Sequence, residues 1–152
     1  MALGIHAAEA ALPPIAPIPG IKPGLANIIT TWAVFMLCPQ DAGIILMCRI
    51  MLGTLVTGSV SSLPYAAAGG TFCYLVTLLL KHLLTQRQLW ISGILGAVAH
   101  NAGQVAVAML ITQTVQLAAY FPMLMLSGMV TGLFTGLCIQ FVVNRTGIIC
   151  KT

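Results

Sequence analysis

Charged positions along the chain are few and widely spaced, and between them lie long uninterrupted runs of apolar residues. Four of these runs, 41–60, 65–84, 90–112 and 120–143, have the roughly 17–25 residues that a membrane-crossing helix needs. A fifth, 24–38, is slightly shorter and is closed by Pro39 and Asp41. The opening run, 1–12, would rise about 18 Å as a helix, against a hydrocarbon core of about 30 Å. It reads as the C-terminal half of a first spanning helix. The expectation is an all-α, polytopic membrane helix bundle in a single domain, with five full spans plus a truncated first helix.

Composition supports that reading. The chain has 152 residues, 59% of them hydrophobic and 5% charged, with a mean hydropathy of +1.04. Soluble domains carry about 25% charged residues, so these few charges cannot solubilise a globule. The six cations, Lys22, Arg49, Lys81, Arg87, Arg145 and Lys151, are scattered. They form no basic cluster of the kind that contacts nucleic acid. They report topology instead. Lys81, His82 and Arg87 fall in one connection and Arg145 and Lys151 in the tail 144–152, so the positive-inside rule places that face, and both termini, in the cytoplasm of a cell-membrane protein. Trp90, Tyr65 and Tyr120 sit at helix ends, where interfacial aromatics belong.

The first connection, 13–23, holds Pro13, Pro14, Pro17, Pro19 and Pro23 with Gly20. Proline fixes φ and removes a donor, so the strip resists both helix and sheet. It reads equally as a rigid connector and as a lid over the outer mouth of the bundle.

Ionisable or strongly polar groups at membrane depth cost about 2.5–3.5 kcal/mol on insertion scales and usually face protein or a cavity. Arg49 lies mid-span in 41–60. His100, Asn101 and Gln104 lie in 90–112, with His100 and Gln104 four residues apart on one helix face. Asn27 opens the span 24–38, just after Lys22. These six residues are the candidate ligand-binding set, and two cations with almost no acids point to an anionic solute. The bland alternative is that the neutral polar groups only join helices. His6 and Glu9 read as an interhelical pair. Cys38, Cys48, Cys73, Cys138 and Cys150 show no metal-ligand or redox spacing and read as small hydrophobes. No metal or cofactor site is expected. Small-residue repeats such as Gly128, Gly132 and Gly136 mark helix contacts.

The blocks Pro19-Gly20-Ile21-Lys22-Pro23-Gly24-Leu25-Ala26-Asn27, Arg49-Ile50-Met51-Leu52-Gly53 and Gly96-Ala97-Val98-Ala99-His100-Asn101-Ala102-Gly103-Gln104 resemble the Gx transporter family, also catalogued as heptaprenyl diphosphate synthase component I. The resemblance covers about residues 8–143, with Pro23 as a departure. It implies a likeness to the S components of energy-coupling factor transporters. Those are six-helix bundles that capture a vitamin-like solute and rely on a separate membrane T component and paired ATPases. The chain carries no phosphate-cradling Gly-rich ATP loop of its own. The resemblance also implies a rival role, a non-catalytic accessory subunit in isoprenoid synthesis. Prenyl transfer needs carboxylates to hold Mg²⁺ on the diphosphate, and the chain has only Glu9 and Asp41. It is not expected to be an enzyme.

Overall fold

The computed structural model describes residues 27–58, 60–84 and 88–146. Helices occupy all five apolar runs: α1 (Asn27–Met36), α2 (Pro39–Thr57), α3 (Leu63–Leu83), α4 (Leu89–Thr112) and α5 (Phe121–Thr146). Short 3₁₀ turns, Val60–Ser62 and Val115–Tyr120, lead into α3 and α5. The segments 1–12 and 13–23, with His6, Glu9 and Lys22, lie outside the described residues.

Boundaries differ from the sequence reading in instructive ways. Pro39 opens α2 instead of merely closing the run before it. Its missing N–H falls where a helix has no acceptor for it, and Asp41 in the first turn suits the positive end of the helix dipole. Gly58 ends the same helix with φ at 64°, a left-handed conformation that glycine adopts without a Cβ clash. Gln113 ends α4 in the left-handed region as well, at φ 53°, and its Nε2 donates to the Leu110 carbonyl.

Three apolar clusters show how the helices alternate. At one end, Tyr65 from the start of α3 packs with Val105 and Ala108 of α4 and Leu124 of α5. At the other, Phe35 and Met36 from the end of α1 pack with Leu89 of α4 and Ile139 and Val143 of α5. Ala33 and Val34 of α1 meet Ala42 of α2, with Tyr74 of α3 beside them. Successive helices therefore run antiparallel. α4 is central, sharing its most extensive contacts with α5 and then α3, while α1 touches all four others. Tyr65, expected at an interface, is buried at 6% exposure because it caps the first cluster.

The polarity of this bundle is inverted relative to a soluble protein. Leu55, Leu79, Leu83, Leu110, Leu126, Val130, Phe134 and Phe141 are exposed, whereas Thr30, Thr31, Thr77, Ser92, His100, Asn101, Gln104 and Thr135 are buried. Water would penalise such a surface and lipid would not. Three stretches, Val60–Leu83, Leu89–Thr112 and Val115–Arg145, are long and apolar enough to cross a membrane among the described residues. α4, with 24 residues, rises about 36 Å. α1 has 10 residues and rises about 15 Å, half a hydrocarbon core.

Glycine permits the tightest helix approach. A Cβ on Gly93 would sit 2.5 Å from the Gly132 carbonyl oxygen and from Gly136 Cα, so α4 and α5 meet backbone to backbone. Gln140 of α5 adds a polar tie, its Oε1 accepting the Leu89 backbone N–H at 3.0 Å. That bond satisfies one of the orphan donors at the start of α4.

Candidate functional site

The polar residues form a layer at the middle of the bundle, beneath α1. Arg49 of α2 donates from Nη1 to Thr30 Oγ1 of α1 at 2.8 Å. The hydroxyl accepts at a buried position, and the guanidinium is thereby turned inward rather than toward lipid. Arg49 lies within electrostatic reach of both His100 on α4 and Cys73 on α3.

Cys73 and Thr77 are one helical turn apart on α3, with sulfur and hydroxyl 4.0 Å from each other. Both are completely buried. Thr77 also donates to its own helix at the Cys73 carbonyl, 2.7 Å away. A Cβ on Gly96 of α4 would lie 3.3 Å from Cys73 Sγ and from Thr77 Oγ1, and 3.8 Å from Thr31 Oγ1. Thr31, Cys73 and Thr77 thus converge on the bare backbone of Gly96, so two helices bring hydroxyls and a thiol to one point on a third.

His100 and Gln104 extend this layer along α4. Their side chains lie over Gly69 of α3, whose added Cβ would approach His100 Cε1 and Nδ1 to 2.7 Å and Gln104 Cγ to 2.9 Å. The shared helix face read from their spacing therefore points at α3. His100 Nδ1 rests against the Gly69 backbone without a well-formed hydrogen bond. Gln104 is 3% exposed and its Oε1 has no partner.

Asn101 turns the other way. Its Nδ2 donates to the Leu124 carbonyl of α5 at 2.6 Å, over the bare backbone of Gly128. This half of the amide joins helices, as polar groups in membranes often do. Its Oδ1 has no partner among the described residues, at 0% exposure. Ser92 Oγ, near the opposite end of α4, is likewise buried and unpartnered.

Of the six sequence candidates, the structure brings Arg49, His100 and Gln104 into one layer and sets Asn101 at its edge against α5. Asn27 begins α1, above Thr30 on the same helix, and nothing is described of its side chain. Lys22 lies outside the described residues. Thr30, Thr31, Cys73 and Thr77 were not among the candidates. Their only signal was the Cys73–Thr77 spacing of four and the adjacent threonines in a short apolar run, where a cysteine counts as hydrophobic and a threonine barely interrupts the run.

A cavity of about 180 Å³ lies nearby, lined by Ala102, Val105, Met109, Ala118 and Phe121. Its walls are apolar, and it belongs to the junction of α4 with the turn before α5. Among the described residues no three His, Cys, Asp or Glu side chains come together as metal ligands. Asp41, the one carboxylate described, is exposed at the start of α2.

Residues 1–142 match the family described as heptaprenyl diphosphate synthase component I. The chain belongs to that family. No curated protein and no solved structure is detectably similar. The match covers every described helix as far as the last turn of α5. It therefore embraces the whole polar layer.

Proposed function

We propose that this protein is a solute-binding subunit of a membrane transporter, built like an energy-coupling factor S component. It takes a small, anionic, vitamin- or cofactor-like solute into the layer around Arg49, His100 and Gln104, with Lys22 and Asn27 at the mouth. Asn101 borders the site from the α5 side. A separate T component and ATPase subunits supply the energy. On this reading both termini are cytoplasmic.

The observation that supports this reading is that three buried polar atoms close together on α4, His100 Nδ1, Asn101 Oδ1 and Gln104 Oε1, have no hydrogen-bond partner among the described residues, whereas Lys81 Nζ and Ser92 Oγ, also buried and unpartnered, lie toward the other end of the bundle. Each such atom costs about 1–3 kcal/mol relative to a satisfied or apolar replacement. A bundle that needed only to pack would gain by losing them. A ligand that satisfies them accounts for their presence, and Arg49 supplies the charge that selects an anion.

The second reading, a non-catalytic membrane accessory subunit in isoprenoid synthesis, is favoured by the family description, which names a component of a synthase. A component implies a partner subunit that carries the chemistry. This chain is suited to that partition, because one Asp and one Glu in the whole sequence cannot build the paired aspartate-rich sites of prenyl transfer. The polar layer would then serve helix packing alone.

Purified protein melted against a panel of vitamins and cofactors separates the two. Stabilisation by one anionic compound supports the transporter subunit. No stabilisation, together with co-purification of a prenyl synthase, supports the accessory subunit and removes the first reading.

A further inference from the structure

Among the unpartnered atoms near Arg49, the amide oxygen of Asn101 has a sense opposite to the one that Arg49 carries. Asn101 fixes the sign. The Leu124 carbonyl can only accept, so the amide nitrogen faces it and the oxygen is the atom left over. Gln104, one turn along the same helix, carries a second amide whose Oε1 has no partner among the described residues. Both side chains are more than nine-tenths buried, so water at the surface does not serve them. An acceptor oxygen is satisfied by an N–H or O–H group, never by a deprotonated phosphate or carboxylate oxygen.

The site therefore has two unlike ends. Arg49, tethered to Thr30 on the α1–α2 side, presents donors and a positive charge. Asn101, toward the start of α5, presents an acceptor, and Gln104, over Gly69 of α3, adds an amide beside it. From this we infer that the solute is bipolar, an anionic group at one end and an amine, amide N–H or hydroxyl at the other. A simple monofunctional anion leaves half of the site unsatisfied. This inference rests on the solute-binding reading above and narrows its substrate class. Specificity of this kind is steep, because a site built to hydrogen-bond a group rejects the analogue lacking it more strongly than a methyl-sized slot rejects a methyl.

The test uses matched pairs that differ only in the donor. Para-aminobenzoate is compared with para-toluate, and aminoalkyl phosphonates with alkyl phosphonates of equal length, by thermal stabilisation of the purified, unaltered protein in lipid nanodiscs. The expected result is stabilisation by donor-bearing members and at least about tenfold weaker apparent affinity for their donor-less partners. Gln104→Glu, which keeps the acceptor, should retain that preference, and Gln104→Leu should flatten it. Equal stabilisation by both members of each pair overturns the bipolar solute and leaves the solute-binding reading standing. Stabilisation by neither member of any pair, with no response to the wider vitamin panel, overturns both. Because the pairs are read on the unaltered protein, the outcome does not depend on either variant folding.

Discussion

Arg49 and Thr30 join α2 to α1 through a hydrogen bond of 2.8 Å, set inside a bundle whose outer surface is apolar. A guanidinium held this way is kept out of lipid by a hydroxyl that can equally accept or donate. Arg49 makes further interactions within the fold besides this one. The pair is therefore a positioning device as well as a packing contact.

Thr30→Val tests the positioning. The substitution is nearly isosteric and removes only the acceptor, so it should cost about 1–2 kcal/mol of stability. Arg49→Lys keeps the charge but loses the planar fork, and should weaken binding of an anionic solute by about tenfold while the bundle still assembles. Arg49→Leu removes a costly charge and should assemble without binding. Melting curves and ligand titration on the three variants check this. Binding by Arg49→Leu at the parental affinity would make Arg49 structural.

Gly69 should prove a binding residue in effect, though it offers no side chain. An added Cβ would fall 2.7 Å from the His100 ring and 2.9 Å from Gln104 Cγ. Gly69→Ala should therefore displace both side chains, costing about 1–3 kcal/mol of stability as overpacking does, and lower ligand affinity more than Thr30→Val does. Comparing the two variants in the same titration is the check, and unchanged affinity in Gly69→Ala would place the solute elsewhere.

The α4–α5 seam offers a prediction about assembly. Gly132→Val would set side-chain atoms against the Gly93 carbonyl, where even a Cβ stands at 2.7 Å. Backbone cannot yield as a flexible side chain does, so the variant should lose its folded yield in detergent. Gly58→Asn is the control. Nothing lies within 4 Å of a Cβ there, and asparagine tolerates the left-handed conformation, so its yield should be parental.

Much of the fold was legible because lipid imposes one strong rule, that a crossing segment satisfies its own backbone and shows apolar side chains. The five helices followed from it. So did Arg49, His100 and Gln104, since strongly polar groups stand out in such runs. Asn101 was legible as polar, but its direction was not. That depends on Gly128 letting α5 come close, a contact between distant stretches of chain. Thr30, Thr31, Cys73 and Thr77 were hidden for another reason. Small hydroxyls and thiols can bond back to their own helix, as Thr77 does to the Cys73 carbonyl, so nothing in their spacing separates a site from a satisfied turn. Tyr65 looked interfacial from its place at a helix end, and only the packing of Val105, Ala108 and Leu124 around it reveals a core residue.

Topology is open to direct labelling. In a cysteine-free background, a cysteine replacing Gln113, after α4, should react with an impermeant thiol reagent on intact cells. One replacing Asn144, near the end of α5, should react only after lysis. Both positions are exposed at opposite ends of the bundle. The reverse pattern would place the termini outside and invert the proposed direction of uptake.

The central claim is that the polar interior holds a solute, and co-purification reads it most directly. Unaltered protein and Arg49→Leu are expressed in the same cells, purified in parallel under mild conditions and extracted, and their small molecules are compared by mass spectrometry. The account predicts one anionic compound bearing an N–H or O–H group, enriched with the unaltered protein and lost from an equally folded Arg49→Leu. Identical small-molecule profiles from two well-folded preparations would contradict it and leave the polar layer as packing.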